Sequence, residues 1–313
     1  MPLRICSFQG MQNLPLIVAL RRGELAALGL DVTLALTNSS AQQLAALAEG
    51  DYDLIHTAPD NVVNYDTNPA AFGHDPVSAP PRAVMLMGGS NGPLTVYARS
   101  DIAAAAALQG QPVGVDNPTS GFALVLRDLL ARAGLELGRD YQFVTAGGTG
   151  ARLGGLLEGK FAATILYPPF DAEAEAAGCH PLASSTTTYP AYASQALAAP
   201  EPWVAQHPEL LTRYITALLR ALRWIYDPAN RAAAEALIAT EPALGVAPAA
   251  AAHALAAFVN PLTGFGQDAA LFDAGLAQVI ALRAQYGAPT ALPLGAPADY
   301  RDLTAYHRAR ALS

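Results

Sequence analysis

Charge is scarce in this chain. Of its 313 residues only 14% are Asp, Glu, Lys or Arg, and 18 basic residues stand against 26 acidic ones for a net charge of −8. The basic residues are scattered, so there is no basic stripe for nucleic acid or for an anionic membrane surface, and both are set aside as partners. Cysteine is nearly absent. Cys6 is expected in a strand and Cys179 in a turn after a helix, far apart in the chain, and both read as unpaired small residues rather than a disulfide. No apolar run of 18 residues lacks polar breaks, so no transmembrane helix is expected. The six histidines (His56, His74, His180, His207, His253, His307) are dispersed, and neither H-x-x-x-H nor C-x-x-C spacing occurs, so no metal and no cofactor is expected. The turn Ala146–Gly150 (AGGTG) is too short for a P-loop and lacks its lysine, so a nucleoside triphosphate is excluded.

What the chain has instead is apolar mass, 52% of all residues, enough for a large core. The hydrophobic spacing alternates between short runs and helical periods. Strands are expected at Leu3–Phe8, Asp31–Leu36 and Tyr52–Ile55. Between them lie helices at Leu14–Leu28 and Ala41–Ala48, and a further helix runs from the turn His56–Asn61 to Tyr65. This β-α-β-α-β-α rhythm predicts an α/β fold, a parallel sheet with helices on its faces. A Pro-, Asn-, Asp- and Gly-rich excursion, Asp66–Arg82, breaks it, and strands follow at Ala83–Met87 and Leu94–Ala98. A second unit begins at Pro112, with strands at Pro112–Val115, Tyr141–Val144, Ala163–Leu166 and Leu182–Ser184, and helices at Phe122–Ala133 and Ala151–Glu158. After Tyr192 the chain reads as nearly all helical: Pro200–His207, Glu209–Tyr226, Asn230–Thr240, Pro248–Phe258, Gln267–Tyr286 and Ala298–Arg310.

In open α/β sheets a ligand sits beyond the carboxyl ends of the strands. The turns there are Gln9–Asn13, Thr37–Ser40 and His56–Asn61 in the first unit, and Asp116–Gly121, Ala146–Gly150 and Tyr167–Phe170 in the second. They hold hydrogen-bonding side chains, glycines and aromatic rings, with no Lys or Arg. That set suits a small polar molecule. Ser39, Ser40, Thr119 and Ser120 stand where helices begin, and a helix start serves equally as a cap and as a place for an anion or a carboxylate. Tyr167 and Phe170 are expected as stacking walls, because Pro168 and Pro169 force a loop between them. His56 is the most chemically suggestive side chain, with Asp60 one helical turn on, either as a ligand contact or as the start of an acid–base pair.

Three stretches together resemble a known family. The first runs from Leu14 to Val62, with GLDVTLAL, a polar turn and LAEGDYDL. The second is LQGQPVGV followed by LLARAGL. The third is HPELLTRYITALLRALRWIYDPANRAAAEALI, from His207 to Ile238, and the closing PADYRDLTAYHRARAL is similar in kind. The chain resembles the substrate-binding proteins of ABC importers, in the group that handles nitrate, taurine, aliphatic sulfonates and thiamine pyrimidine precursors. The resemblance implies a periplasmic-binding-protein type II fold, two lobes, each a mainly parallel sheet flanked by helices, closing on a solute by a hinge. One lobe would hold residues 1–97 and 191–313 with the C-terminal helices, the other residues 98–190, with crossings near Val96–Arg99 and Ser185–Ala193. It carries over Gln9, Asn13, Ser39, Ser40, Asp60, Asn61, Thr119, Ser120, Gly148, Thr149 and Tyr167 as ligand-binding positions, to which His56 and Phe170 are added from their own chemistry. The implied protein is a monomer, is not an enzyme, and hands a small anionic, zwitterionic or heterocyclic molecule to a membrane permease. The resemblance places it in the periplasm if a leader was removed, and in the cytoplasm if Met1 is the native start. Two other readings stay open: a cytoplasmic enzyme on the same fold using His56 and Asp60 (decarboxylase- or pyrimidine-synthase-like, although the family's cysteine-rich patch is missing), and a ligand-sensing module.

Overall fold

The computed structural model describes residues 2–72, 81–287 and 292–313. Its strands are β1 (Leu3–Phe8), β2 (Val32–Thr37), β3 (Leu54–Thr57), β4 (Ala83–Met87), β5 (Thr95–Ala98), β6 (Gln111–Val115), β7 (Tyr141–Thr145), β8 (Ala163–Leu166), β9 (His180–Ser184) and β10 (Ala196–Pro200). They form two five-stranded sheets, ordered β2-β1-β3-β10-β4 and β7-β6-β8-β5-β9. Each sheet is mixed, with as many antiparallel as parallel pairings, where a mainly parallel sheet was expected. In the first, β1 runs parallel to β2 and β3, while β10 is antiparallel to β3 and β4. In the second, β6 is parallel to β7 and β8, and β5 is antiparallel to β8 and β9. Helices cover both sheets, so the two-lobed α/β architecture expected from the residue pattern is the one observed.

The chain leaves the first sheet after Met87, enters the second at Thr95, and returns between Ser184 and Ala196. The expected outward crossing, Val96–Arg99, is therefore misplaced. Thr95–Ala98 is strand, paired on both edges, and the crossing lies just before it. A second correction concerns β10, which falls in a stretch read as helical. Its sequence, ALAAP, has no period of its own; it becomes a strand because it fills the gap between β3 and β4, where its residues are almost wholly buried. The single helix expected over Leu14–Leu28 is two, Leu14–Arg21 and Glu24–Ala27. Gly23 separates them at φ +72, a left-handed conformation that side chains avoid.

The longest C-terminal helix, Pro208–Tyr226, buries Leu211, Tyr214, Ile215, Leu218, Leu222 and Ile225 along one three-to-four-residue stripe. It packs on the helices Leu14–Arg21 and Thr304–Leu312 and closes the first sheet's core with Leu3, Ile5, Leu54 and Leu197. Burial of each such side chain contributes about 1.5–3 kcal/mol. The helix Asp273–Tyr286 lies elsewhere. It packs against Pro59–Thr67 of the first lobe and Gly121–Arg132 of the second, and so touches both bodies. Of the excursion Asp66–Arg82, residues 73–80 lie outside the described residues. Its ends meet: Arg82 donates to Asp66 at 3.1 Å, and the Ala83 N–H donates to the same carboxylate at 3.0 Å.

Candidate functional site

A cavity of about 360 Å³ lies between the sheets. Its wall is assembled from the carboxyl ends of the parallel strands. Phe8 closes β1, Thr37 closes β2 and Thr57 closes β3; across from them stand Asp116 after β6, Gly147 after β7 and Tyr167 after β8. Gln195, on the returning crossing, completes it. A parallel strand followed by a helix places turn residues and a helix N-terminus at this edge.

Among the described residues two charged side chains line the cavity, and they differ in exposure. Asp116 is half-buried and accepts a hydrogen bond from the Ser120 hydroxyl at 2.6 Å. Arg152 is 1% exposed. It comes from the helix Thr149–Leu157 and folds back to donate to the carbonyls of Gly147 (3.0 Å) and Ile165 (3.3 Å) and to Thr149 Oγ1 (3.0 Å). Its Nη1 lies 3.9 Å from Asp116 Oδ1, and its Nε has no partner. The two charges offset one another, and the acidic one is the more open to the cavity.

Ser120 caps the helix Gly121–Arg132 by accepting from the Ala123 N–H. No side chain caps the helix that begins at Thr149, where Gly148, Thr149, Gly150 and Ala151 all border the cavity. Its first-turn N–H groups form a patch of positive potential. Phe122 and Phe170 each meet Tyr167 edge-on at 5.9 Å and make an aromatic corner. Burial pushes the Tyr167 phenol above its ordinary pKa, so it is a neutral hydroxyl. The amides of Gln9, Gln12, Asn38, Asn61 and Gln195 supply the remaining polarity. Taken together, the lining offers an acceptor at Asp116, donors at the Thr149 helix start, and a ring-sized aromatic wall.

The cavity gathers Gln9, Ser40, Asn61, Ser120, Gly148, Thr149, Tyr167 and Phe170 from the expected positions. It leaves out Asn13, Ser39, His56, Asp60 and Thr119, and each departure has a local cause. Asn13 is wholly buried and donates to the carbonyls of Phe8 and Ala243. Ser39 Oγ is used by the Gln42 N–H as a cap. Alternation along β3 sends Thr57 to the cavity and His56 to the opposite face, where its ring meets the Tyr214 hydroxyl at 2.9 Å. Burial lowers the His56 pKa to about 4, so the ring is neutral. Asp60 is gripped by Arg283, at 2.6 Å from Nε and 2.5 Å from Nη2. Thr119 is exposed; its hydroxyl donates to Asn117, and its carbonyl accepts from Arg283 at 2.8 Å. The expected acid–base pair of His56 and Asp60 is thus two separate structural contacts. None of the described lining residues is His, Cys or Lys.

Arg152 overturns the expectation of a shell without arginine. Reading the turns alone missed it because it sits one turn into a helix. Asn38, Gln12 and Asp116 were each within a turn already singled out, and their amide or carboxylate chemistry was the available signal. Among the described residues no group of three or more His, Cys, Asp or Glu is placed to hold a metal ion, and no helix is long and apolar enough to cross a membrane.

A model of the NMT1-like family matches residues 2–239. No curated protein matches the chain. Among solved structures, the periplasmic nitrate-binding protein NrtA from Synechocystis PCC 6803 superposes with a TM-score of 0.82 at 13% identity, over 99% of this chain and 88% of that one. The ligand-binding component of an ABC-type import system from Staphylococcus aureus, with zinc bound, gives 0.76 at 13% identity, over 99% of both chains. The alkanesulfonate-binding protein SsuA from Xanthomonas axonopodis pv. citri, bound to MOPS, gives 0.68 at 20% identity, over 91% of this chain and 90% of that one. These likenesses establish a shared fold.

Proposed function

The chain belongs to the NMT1-like family, and from that premise we propose that it is the solute-binding component of an ABC-type import system. The observation that carries the reading is the cavity between the sheets, walled by strand ends of both lobes. A solute seated there contacts both bodies at once, so its binding energy favours the closed arrangement, which a membrane permease then reads. The import system named for one of the structural neighbours is consistent with this role. The protein works as a monomer in the periplasm.

The lining favours a zwitterionic or strongly dipolar molecule with a planar ring over a full anion. Arg152 is buried, donates to three backbone and side-chain acceptors and is offset by Asp116, so the charge it leaves for a sulfonate is small. The negative or carbonyl end of the solute lies at the Thr149 helix start, its N–H donors meet Asp116, and the ring rests on Tyr167 and its aromatic neighbours. The engagement of His56 and Asp60 away from the cavity supports binding without turnover.

Native mass spectrometry of the purified protein, with a thermal-shift screen of pyridinecarboxylates, aminopyridinecarboxylates and pyridinecarboxamides, tests the assignment. At least one class raises the melting temperature. Asp116→Asn weakens its binding roughly tenfold or more, the value of a charge-assisted hydrogen bond of about 1.5–3 kcal/mol. A screen with no shift and no bound small molecule overturns the solute-binding reading; equal affinity of Asp116→Asn overturns the assigned orientation.

A further inference from the structure

A second, smaller cavity of about 70 Å³ adjoins the first. The two share Gln12, Phe122, Tyr167 and Gln195 in their walls. Beyond that shared edge the chemistry changes. The smaller space is bounded by Met11, Leu94, Pro168, Ala254, Ala257 and the ring pair Phe258 and Phe265, stacked at 5.1 Å. Ser90, Ser194 and Thr263 border it too, and among the described residues no charged side chain does.

We propose that this annex is a subsite for a short apolar substituent carried by the solute in the main cavity, an unbranched alkyl group of about two or three carbons. The inference rests on the solute-binding reading above. Protein interiors are close-packed, so an unfilled space with mostly apolar walls is uncommon, and such walls favour an apolar guest over water. Its position argues for a guest attached to the solute. The edge it shares with the main cavity is the Phe122–Tyr167 corner, against which the ring lies. The amides of Gln12 and Gln195 stand at the same border, where a solute passes from polar to apolar surroundings. The helix Ala251–Phe258 presents only Ala254 and Ala257 to the space next to Phe258, so two positions that would fill it with a larger residue leave it open. The solute is thereby specified further: a dipolar head with a ring, and a short hydrocarbon tail.

The test compares each parent pyridine compound of the screen with its methyl, ethyl and propyl ring homologues, by calorimetry on the wild type, Ala257→Leu and Ala257→Met. In the wild type, affinity rises about fourfold per added carbon for the first two carbons at one ring position, the value of burying a methylene. In Ala257→Leu that gain falls to within twofold, because the leucine occupies the annex. Ala257→Met, whose side chain adapts more easily, gives the same loss if the leucine variant does not fold. Homologues that bind no better than their parents, or a gain that persists in both variants, overturn the annex while the solute-binding reading stands. If neither parents nor homologues bind the wild type, both fall.

Discussion

Replacing Arg283 by Met probes the contact that joins the two bodies behind the cavity. The Arg283 guanidinium holds Asp60 through two bonds, donates to Asn64 Oδ1 at 2.9 Å, and reaches across to the Thr119 carbonyl at 2.8 Å. Both members of the pair are buried, at 1% and 2% side-chain exposure, so solvent screens neither of them. Met fills much of the same volume and carries no charge. It leaves the Asp60 carboxylate buried and unpaired, a loss of about 3–5 kcal/mol. For a chain of 313 residues that corresponds to a fall in melting temperature of roughly 5–8 °C. The assay is differential scanning calorimetry, which also shows whether the lobes unfold together. Asp60→Leu combined with Arg283→Met removes both charges and recovers most of the loss, since an apolar pair of similar volume costs little. A single variant that melts within about 2 °C of the wild type, or a double variant no better than the single, refutes the argument that the uncompensated carboxylate is the source of the cost.

Two further substitutions separate closure from folding. A Cβ at Gly121 would lie 2.5 Å from Asp60 Cβ, and Asp60 is pinned by Arg283 and has no room to yield. Gly121→Ala therefore wedges the lobes apart and weakens solute binding about tenfold or more, roughly the effect of a 1.4 kcal/mol strain, with an unchanged far-ultraviolet circular dichroism spectrum; unaltered affinity counts against the closed contact. The acid dependence of stability follows from two buried groups of opposite sign. His56, at about 4 in the folded chain against 6.5 ordinarily, contributes stability that is full above 6.5 and is lost as pH falls towards 4. That loss amounts to about 3 kcal/mol at most. Burial raises Asp66 from 3.8 to about 6, so its neutral form gains stability as pH falls through the same window. The two offset in the wild type. His56→Gln, which keeps a partner for Tyr214, removes the first, so the variant becomes steadily more stable relative to the wild type between pH 6.5 and 4. Parallel melting curves in that range refute the assignment.

Much of the framework was legible because its signals are local. Leu3–Phe8, Ala83–Met87 and Ala163–Leu166 are apolar runs bounded by turn residues, and their ends agree with the observed strands. Eight of the thirteen expected ligand positions line the cavity because strand-to-helix turns necessarily gather at one sheet edge. What escaped depends on partners distant in the chain. Ala196–Pro200 is a strand only because β3 and β4 leave a place for it. The direction of His56 is set by sheet register, and Asp60 turns from the cavity because Arg283, 223 residues later, waits on the other side. Arg152 was hidden by its setting, since a helical arginine ordinarily reads as surface.

The return of β10 to the middle of the first sheet has a consequence for the order in which a nascent chain can become safe. The second sheet is built from one continuous stretch, Thr95 to Ser184, and is complete as soon as that stretch has emerged. The first begins earlier and finishes later, because β3 and β4 have no bridge until Ala196–Pro200 arrives. During that interval the facing edges of both strands present unpaired N–H and C=O groups, a template for other chains. A growing polypeptide therefore passes through its most aggregation-prone stage with the later lobe already folded and the earlier one still open.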